Sequence, residues 1–448
     1  MHVSKVRYGI TAAPPTLKIT GYRIHSIAIS DPPLRSSYGL HAPFALRTVL
    51  ELESDEGIVG ISEAHGGDAN AALFEAARPR VVGADPYRLA GDLLVAVDEM
   101  SARGGDRSQT FRVPGENTAD AGARLYSAIE IASLDLIGKT VGQPVCDLLG
   151  GRVRDEVPFS AYLFYKHGGG GGDECDDEYG ECLSPDTIVR QASQMIAAYG
   201  FRSVKLKGGV LDPAVEIETM QRLFEALGPT VPLRIDPNCA WSVETSIHVG
   251  RSLARELAGE GYLEDPAPGL NGMAAVRRGL KAAGVQTPLA SNVAVTGFVH
   301  LPEALATDAV QIVLCDPHYW GGIREIQHLS KICQTFALGL SMHSNSHLGV
   351  SLMAMAHAAA AAPHLTYACD THYPWQRADE DIVLGGRVPI VNGSVRIPDK
   401  PGLGVELDYD QLARGRERYA RMSYRRRDDE DEMRKHVDPD WRRVVPRW

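Results

Sequence analysis

Lys207, Asp236, Glu264, Asn292, Asp316, His343 and Asp370 each close an apolar segment, and the steps between them are 29, 28, 28, 24, 27 and 27 residues. The segments read SVKLK, LRIDPN, YLEDP, PLASN, QIVLCDP, GLSMHSN and HLTYACDTH. Asp236, Glu264 and Asn292 would offer three hard oxygen donors from successive strand ends, a set that suits Mg²⁺, with Mn²⁺ as a substitute. Two carboxylates and one amide only balance a divalent ion, which favours a substrate bringing its own carboxylate. Lys205 and Lys207 are two apart on a strand and face the same side. Two adjacent ammonium groups near a cation should lower a lysine's proton affinity, making Lys207 a base and leaving Lys205 an electrostatic role. Asp316 and His343 lie on neighbouring strand ends, so the carboxylate can hold one ring nitrogen and free the other for proton transfer. Together these groups suit abstraction of a proton next to a carboxylate, feasible only with electrostatic stabilisation of the enediolate.

Something must bring such distant residues together. A period of that size fits one strand plus one helix, and a (β/α) barrel carries its chemistry at the C-terminal ends of its strands. Amphipathic helical patterns such as PAVEIETMQRLFEALG and GGIREIQHLSKICQTFA fill the gaps. The repeat starts at VPFSAYLFYK. Ahead of it, ITGYRIHSIAIS, ALRTVLELES and IVGISE read as strands, the last two joined by a turn at Asp55-Glu56-Gly57, and ARLYSAIEIASLDLIGKTVG reads as a helix. After about Val383 short strands and a charged helix are expected to return to the N-terminal part. The expected boundaries are an α+β capping domain over 1–152, a barrel over 153–385 and a C-terminal segment over 386–448.

Bulk properties narrow the function classes. The 448 residues are 44% hydrophobic and 23% charged, and the formal net charge of -11 argues against nucleic-acid or anionic-membrane partners. Seven scattered cysteines without a CxxC pair make a disulfide framework or zinc knuckle unexpected. With no apolar signal core in MHVSKVRYGI, a reducing cytoplasm is the expected compartment. The run from His167 to Gly172 and the acidic stretch to Glu181 lack the lysine of a phosphate-binding loop, and read instead as a mobile loop over the site.

The KxK element, DPNCAW, LEDP, the SN before VAVT, DPH, HSNSHLGVSL and DTH follow one another in an order that resembles the mandelate racemase subgroup of the enolase superfamily. GLHAPFALR, SQTF and AIEIASLDLIG near the start agree, as do KPGLGVELD and RRDD near the end. HSNSH with ASN as the third metal element resembles the glucarate dehydratase branch most closely. The resemblance implies an α/β fold: a (β/α)7β modified TIM barrel with an α+β capping domain completed by the C-terminal segment. It implies Lys207 as the base on one face, His343 held by Asp316 on the other, and Asp236, Glu264 and Asn292 as magnesium ligands. His41, Thr110, Tyr162, Asn345, His372 and Arg427 match positions that hold a diacid's hydroxyls and distal carboxylate, and Asn238 and Asp370 complete the substrate set. The implied reaction dehydrates D-glucarate or L-idarate to 5-keto-4-deoxy-D-glucarate, with epimerisation as a side path and a homo-oligomer as the assembly. Another acid sugar, such as a galactarate-like diacid or a monoacid, is the alternative substrate. A non-catalytic paralogue and a metal-free Schiff-base aldolase are the competing classes. Asp265 competes with Glu264 as a ligand, and strand alternation favours Glu264.

Overall fold

The computed structural model describes residues 17–89, 91, 93, 121–169, 172 and 177–448. Three long antiparallel strands open it: β1 (Ile19–Ser30), then, past the short strands β2 (Arg35–Ser36) and β3 (Gly39–Leu40), β4 (Phe44–Ser54) and β5 (Val59–His65), in the order β1-β4-β5. The expected hairpin is β4–β5, with Glu53 opposite Val59. Helices α1 (Asp68–Val81) and α2 (Ala121–Val141) cover this sheet, and Ile19, Leu50, Leu52, Phe74, Leu125, Ile129 and Leu136 are buried together between them. A short helix, α3 (Val145–Leu148), leads into the barrel.

Among the described residues eight parallel strands and seven helices then alternate. They run β6 (Glu156–Phe164), α4 (Pro185–Tyr199), β7 (Val204–Lys207), α5 (Pro213–Leu227), β8 (Leu233–Asp236), α6 (Val243–Ser252), β9 (Tyr262–Glu264) and α7 (Gly269–Ala282). The second half is β10 (Leu289–Ser291), α8 (Leu301–Ala306), β11 (Ile312–Cys315), α9 (Ile323–Thr335), β12 (Gly339–Met342), α10 (Gly349–Ala361) and β13 (Cys369–Asp370). Strands β6 to β12 pair in sequence order and β13 pairs back with β6. The joint between β12 and β13 is made by Ser341 Oγ donating to the Ala368 carbonyl (2.8 Å) and by Thr366 and Tyr367 N–H groups on the Leu340 carbonyl (3.1 Å each). This is the (β/α)7β arrangement.

Local chemistry explains the elements. The strands are short and buried on both faces, as in Leu233-Arg234-Ile235-Asp236, because helices cover the outside and side chains fill the inside. Helix α9 buries Ile323, Ile326, Leu329, Ser330 and Cys333, a stripe at helical spacing. Ser184, Asp212 and Ser242 cap α4, α5 and α6 through side-chain oxygens. Helix α10 is buried on every side, since β5 and α3 pack against it as well as the barrel. The tail adds β14 (Ser394–Arg396), antiparallel to β6, and helices α11 (Tyr409–Arg421) and α12 (Asp429–His436). Helix α11 lies on β1: Gly415 sits against Ile27, and Arg418 Nε donates to the Ala28 carbonyl (3.0 Å). Among the described residues no helix is long and apolar enough to cross a membrane, and the six described cysteines are free and buried.

Candidate active site

Register places the expected residues side by side at the barrel mouth. Lys207 is level with Asp236 on the next strand, and Tyr162 is level with Lys205 on the other side. The sequence led us to expect ammonium against ammonium; the structure instead gives each lysine a carboxylate. Lys205 Nζ, fully buried, contacts Glu264 and lies 2.5 Å from Asp370 Oδ2, while Lys207 Nζ lies 2.5 Å from Asp236 Oδ2. Burial alone would lower the Lys205 pKa, but the Asp370 and Glu264 carboxylates outweigh it and hold the pKa well above the usual lysine range. Lys205 is thereby held as a cation.

The carboxylates respond in opposite senses. Burial would raise Asp236, yet Lys207 and Lys205 bring it down to about 2. Glu264 is pushed well up by burial and by Asp236, with Lys205 opposing. Asp236 is further held by Tyr162, whose hydroxyl donates to Oδ2 (3.0 Å), and by Asn238, whose backbone N–H (2.9 Å) and side-chain amide (2.5 Å) both donate to Oδ1. Asn238 reaches back this way from a left-handed backbone (φ 46°). Asp265 turns the other way, as alternation predicts. Its carboxylate accepts the Ser291 hydroxyl (2.6 Å) and the N–H groups of Asn292 (2.9 Å) and Val293 (3.0 Å), so it builds the turn that presents Asn292.

Asp236, Glu264 and Asn292 offer oxygen donors of the kind a hard divalent ion takes. The Asn292 amide lies between Glu264 Oε1 (3.2 Å), Asp265 Oδ2 (3.0 Å) and His343 Nε2 (3.1 Å). Among the described residues no three His, Cys, Asp or Glu side chains group as metal ligands; here the third donor is an amide, Lys205 joins Glu264 to Asp370, and Lys207 holds Asp236. Formal charges on Asp236, Glu264, Asp370, Lys205 and Lys207 sum to minus one, and a divalent ion would bring the site to plus one. The donor set fits Mg²⁺ and a site that then attracts a carboxylate.

His343 stands on the far side of the barrel in strand order. Its Nδ1 donates to Asp316 Oδ2 (3.2 Å), which leaves Nε2 facing the same cluster. Asp316 Oδ1 is taken by His318, through the backbone N–H (2.8 Å) and ring Nδ1 (2.7 Å). Burial opposes ionisation, but His318 and His343 hold Asp316 far below the usual carboxylate range.

The capping sheet and the tail supply the remaining wall. Buried Asp31 accepts from His41 Nδ1 (3.1 Å), Arg427 Nη1 (2.7 Å) and Ser346 Oγ (3.0 Å). Arg427 Nε also reaches Asp429 (2.5 Å), so this cation already has two carboxylates of its own. Tyr162, Phe164, His372 and His41 meet edge-on or tilted in a chain with ring centroids 4.6 to 6.0 Å apart. His372 is bound to Ser344 Oγ at Nδ1 (2.8 Å), and burial followed by His41 pushes its pKa well below the usual histidine range. Asn345 bridges Arg47 Nη1 (3.1 Å) and the Tyr319 hydroxyl (2.8 Å). Asp370 lies deeper, on Lys205. Thr110 lies outside the described residues.

Asp31, Arg47, Glu63, His318 and Tyr319 were not singled out from the sequence. Three of them nevertheless lie inside quoted segments: His318 in DPH, Arg47 at the end of GLHAPFALR and Glu63 at the end of IVGISE. Arg47 and Glu63 pair across β4 and β5 (2.8 Å), and Glu63 also accepts the N–H groups of Leu348 (2.9 Å) and Ser351 (3.0 Å) at the start of α10. Arg47→Ala should leave that carboxylate buried and uncompensated, destabilising the chain by about 3 kcal/mol. Urea unfolding checks this, and adding Glu63→Gln should recover part of the loss.

Residues 31–150 match the family described as mandelate racemase / muconate lactonizing enzyme, N-terminal domain, and residues 187–412 match the family described as enolase C-terminal domain-like. A protein of Streptomyces coelicolor named probable glucarate dehydratase is 44% identical over 447 residues, covering 96% of this chain and 99% of its own. The crystal structure of an enolase from Pseudomonas fluorescens Pf0-1 with bound magnesium, potassium and tartrate aligns with a TM-score of 0.90 at 46% identity, over 97% of this chain and 100% of that one. One from Mycobacterium smegmatis complexed with tartrate aligns at 0.88 and 46% identity, over 98% and 100%.

Proposed function

The chain belongs to the mandelate racemase and muconate lactonizing enzyme family of the enolase superfamily, and from that premise we propose that it dehydrates D-glucarate and L-idarate. It is an acid-sugar hydro-lyase. The observation that carries the reading is convergence: Lys207 from β7 and His343 from β12 reach one cluster of Asp236, Glu264 and Asn292 from opposite sides.

Asp236, Glu264 and Asn292 would hold Mg²⁺, which stabilises the negative charge that grows on a substrate carboxylate as the neighbouring C–H bond breaks. Lys205 adds a fixed positive charge beside it. His343 Nε2 takes the C5 proton of D-glucarate, and Lys207 takes that of the C5 epimer, L-idarate. The C–H electron pair passes into the carboxylate as an enediolate. It returns to form a C4–C5 double bond as the C4 hydroxyl leaves, and His343 donates the proton that makes the leaving group water, the one it took from D-glucarate or, with L-idarate, one taken up from solvent. The enol then takes a proton at C4, giving 5-keto-4-deoxy-D-glucarate, so one substrate yields one keto diacid and one water. His41, Tyr162, Asn345, His372 and Arg427 line the path for the distal hydroxyls and carboxylate, with Thr110 as a further contact. Tartrate, present with two structural neighbours, is itself a hydroxylated diacid, which supports this substrate class.

The test is Mg²⁺-dependent keto-acid formation from a panel of acid sugars in D₂O. Turnover of D-glucarate and L-idarate, with deuterium entering C5 of recovered substrate, is the expected result. Turnover of only another acid sugar would keep the chemistry and change the substrate. No turnover across the panel, with metal bound, would overturn the reading.

A further inference from the structure

Asp316 holds two histidines rather than one, and we propose that His318 is a positioning residue that sets the proton-transfer geometry of His343. This rests on the two-base reading above. A carboxylate bound only through one oxygen can swing about its own axis. Here Oδ1 is fixed by two donors of one residue, the His318 backbone N–H (2.8 Å) and ring Nδ1 (2.7 Å), so the plane is set and Oδ2 is presented to His343 Nδ1 (3.2 Å). The tautomers follow from the acceptor. A carboxylate has no proton to give, so Nδ1 of both rings carries one, and Nε2 of His343 keeps the lone pair that proton abstraction needs.

His318 is itself held at its other end. Ser351 Oγ lies 3.0 Å from Nε2 and donates to it, since the ring's proton is on Nδ1. Ser351 sits in the first turn of α10 and its backbone N–H is bound by Glu63 (3.0 Å). A chain of contacts thus runs from the capping sheet through Glu63, Ser351 and His318 to the carboxylate behind the base.

The ring is not needed to hold its own turn. Tyr319 and Trp320 N–H groups bind the Asp316 carbonyl (3.0 Å each), Gly322 N–H binds the Pro317 carbonyl (3.1 Å), and Ile323 N–H binds Glu130 of α2 (2.9 Å). The backbone from Asp316 to Ile323 is closed without any help from an imidazole. What the imidazole adds is the orientation of one carboxylate.

The two faces of the substrate separate this role from a general loss of structure. In His318→Ala, deuterium entry into C5 of recovered D-glucarate, the histidine face, should fall ~10–100-fold, the range for removing a partner that orients a working histidine. Deuterium entry into C5 of recovered L-idarate, the lysine face, should change less than ~3-fold, because Lys207 has no contact with this chain of residues. His318→Asn keeps a donor near the Nδ1 position and should recover most of the histidine-face exchange. Equal loss on both faces, or no loss on either, overturns the proposal. The wild-type chain run alongside distinguishes the two claims: if it exchanges neither proton, the two-base reading itself falls and takes this role with it.

Discussion

His343→Asn is expected to abolish dehydration while sparing half of the exchange chemistry. Keto-acid formation from either epimer should fall by roughly 10³–10⁴-fold, the upper part of what one acid–base group contributes, because His343 serves as acid for both and as base for D-glucarate. Deuterium should still enter C5 of L-idarate, where Lys207 alone makes and breaks the bond. The carboxylate left behind at Asp316 stays bound by His318 through two hydrogen bonds, so the fold should be little disturbed. NMR of substrate recovered from D₂O measures both quantities in one tube. Loss of L-idarate exchange together with dehydration would mean that the two faces are not served by separate bases.

Lys205→Met should be the most destabilising single change at the site. The ammonium is fully buried and is shared between two fully buried carboxylates, Glu264 and Asp370. Removing it leaves both without their cation, for which the expected loss is about 3–5 kcal/mol. Activity should fall with it, since the fixed positive charge beside the growing enediolate is gone. The double variant Lys205→Met/Asp370→Asn separates the two effects: it should regain a large part of the stability in urea unfolding and remain inactive. A double variant that recovers turnover would show that Lys205 acts only as a structural counter-ion.

The barrel was legible because its period is. Polar residues at the ends of apolar segments, recurring about every strand plus helix, mark Lys207, Asp236, Glu264, Asn292, Asp316 and His343 in the sequence, and the structure brings them to one mouth. The same period is silent about pairings across the barrel or between domains. Lys205 meets Asp370 from a strand 165 positions away, and Asp31 meets Arg427 across 396. Nothing local in either segment encodes those contacts, so the expectation of one ammonium lowering another missed the carboxylate that each lysine in fact has. Arg47 and Glu63 were hidden for a different reason. They lie in strands that read simply as alternating polar and apolar, where a buried ion pair looks like a solvated face.

Lys166 has a consequence for how such an enzyme can change. Its side chain is fully buried, and its ammonium gathers the carbonyls of His167 (2.9 Å), Gly169 (3.1 Å) and Gly180 (2.9 Å) together with the Asp177 carboxylate (3.1 Å). Both stems of the glycine-rich loop are thereby tied to one point at the end of β6, beside Tyr162 and Phe164. A loop fastened at its base passes little of its own variation to the barrel, and doubling its length adds only about 0.6 kcal/mol of closure entropy. Insertions and deletions beyond the knot can therefore be sampled by evolution without refolding the catalytic core. The lysine thus separates variation in this stretch from the strand ends that the barrel holds in register.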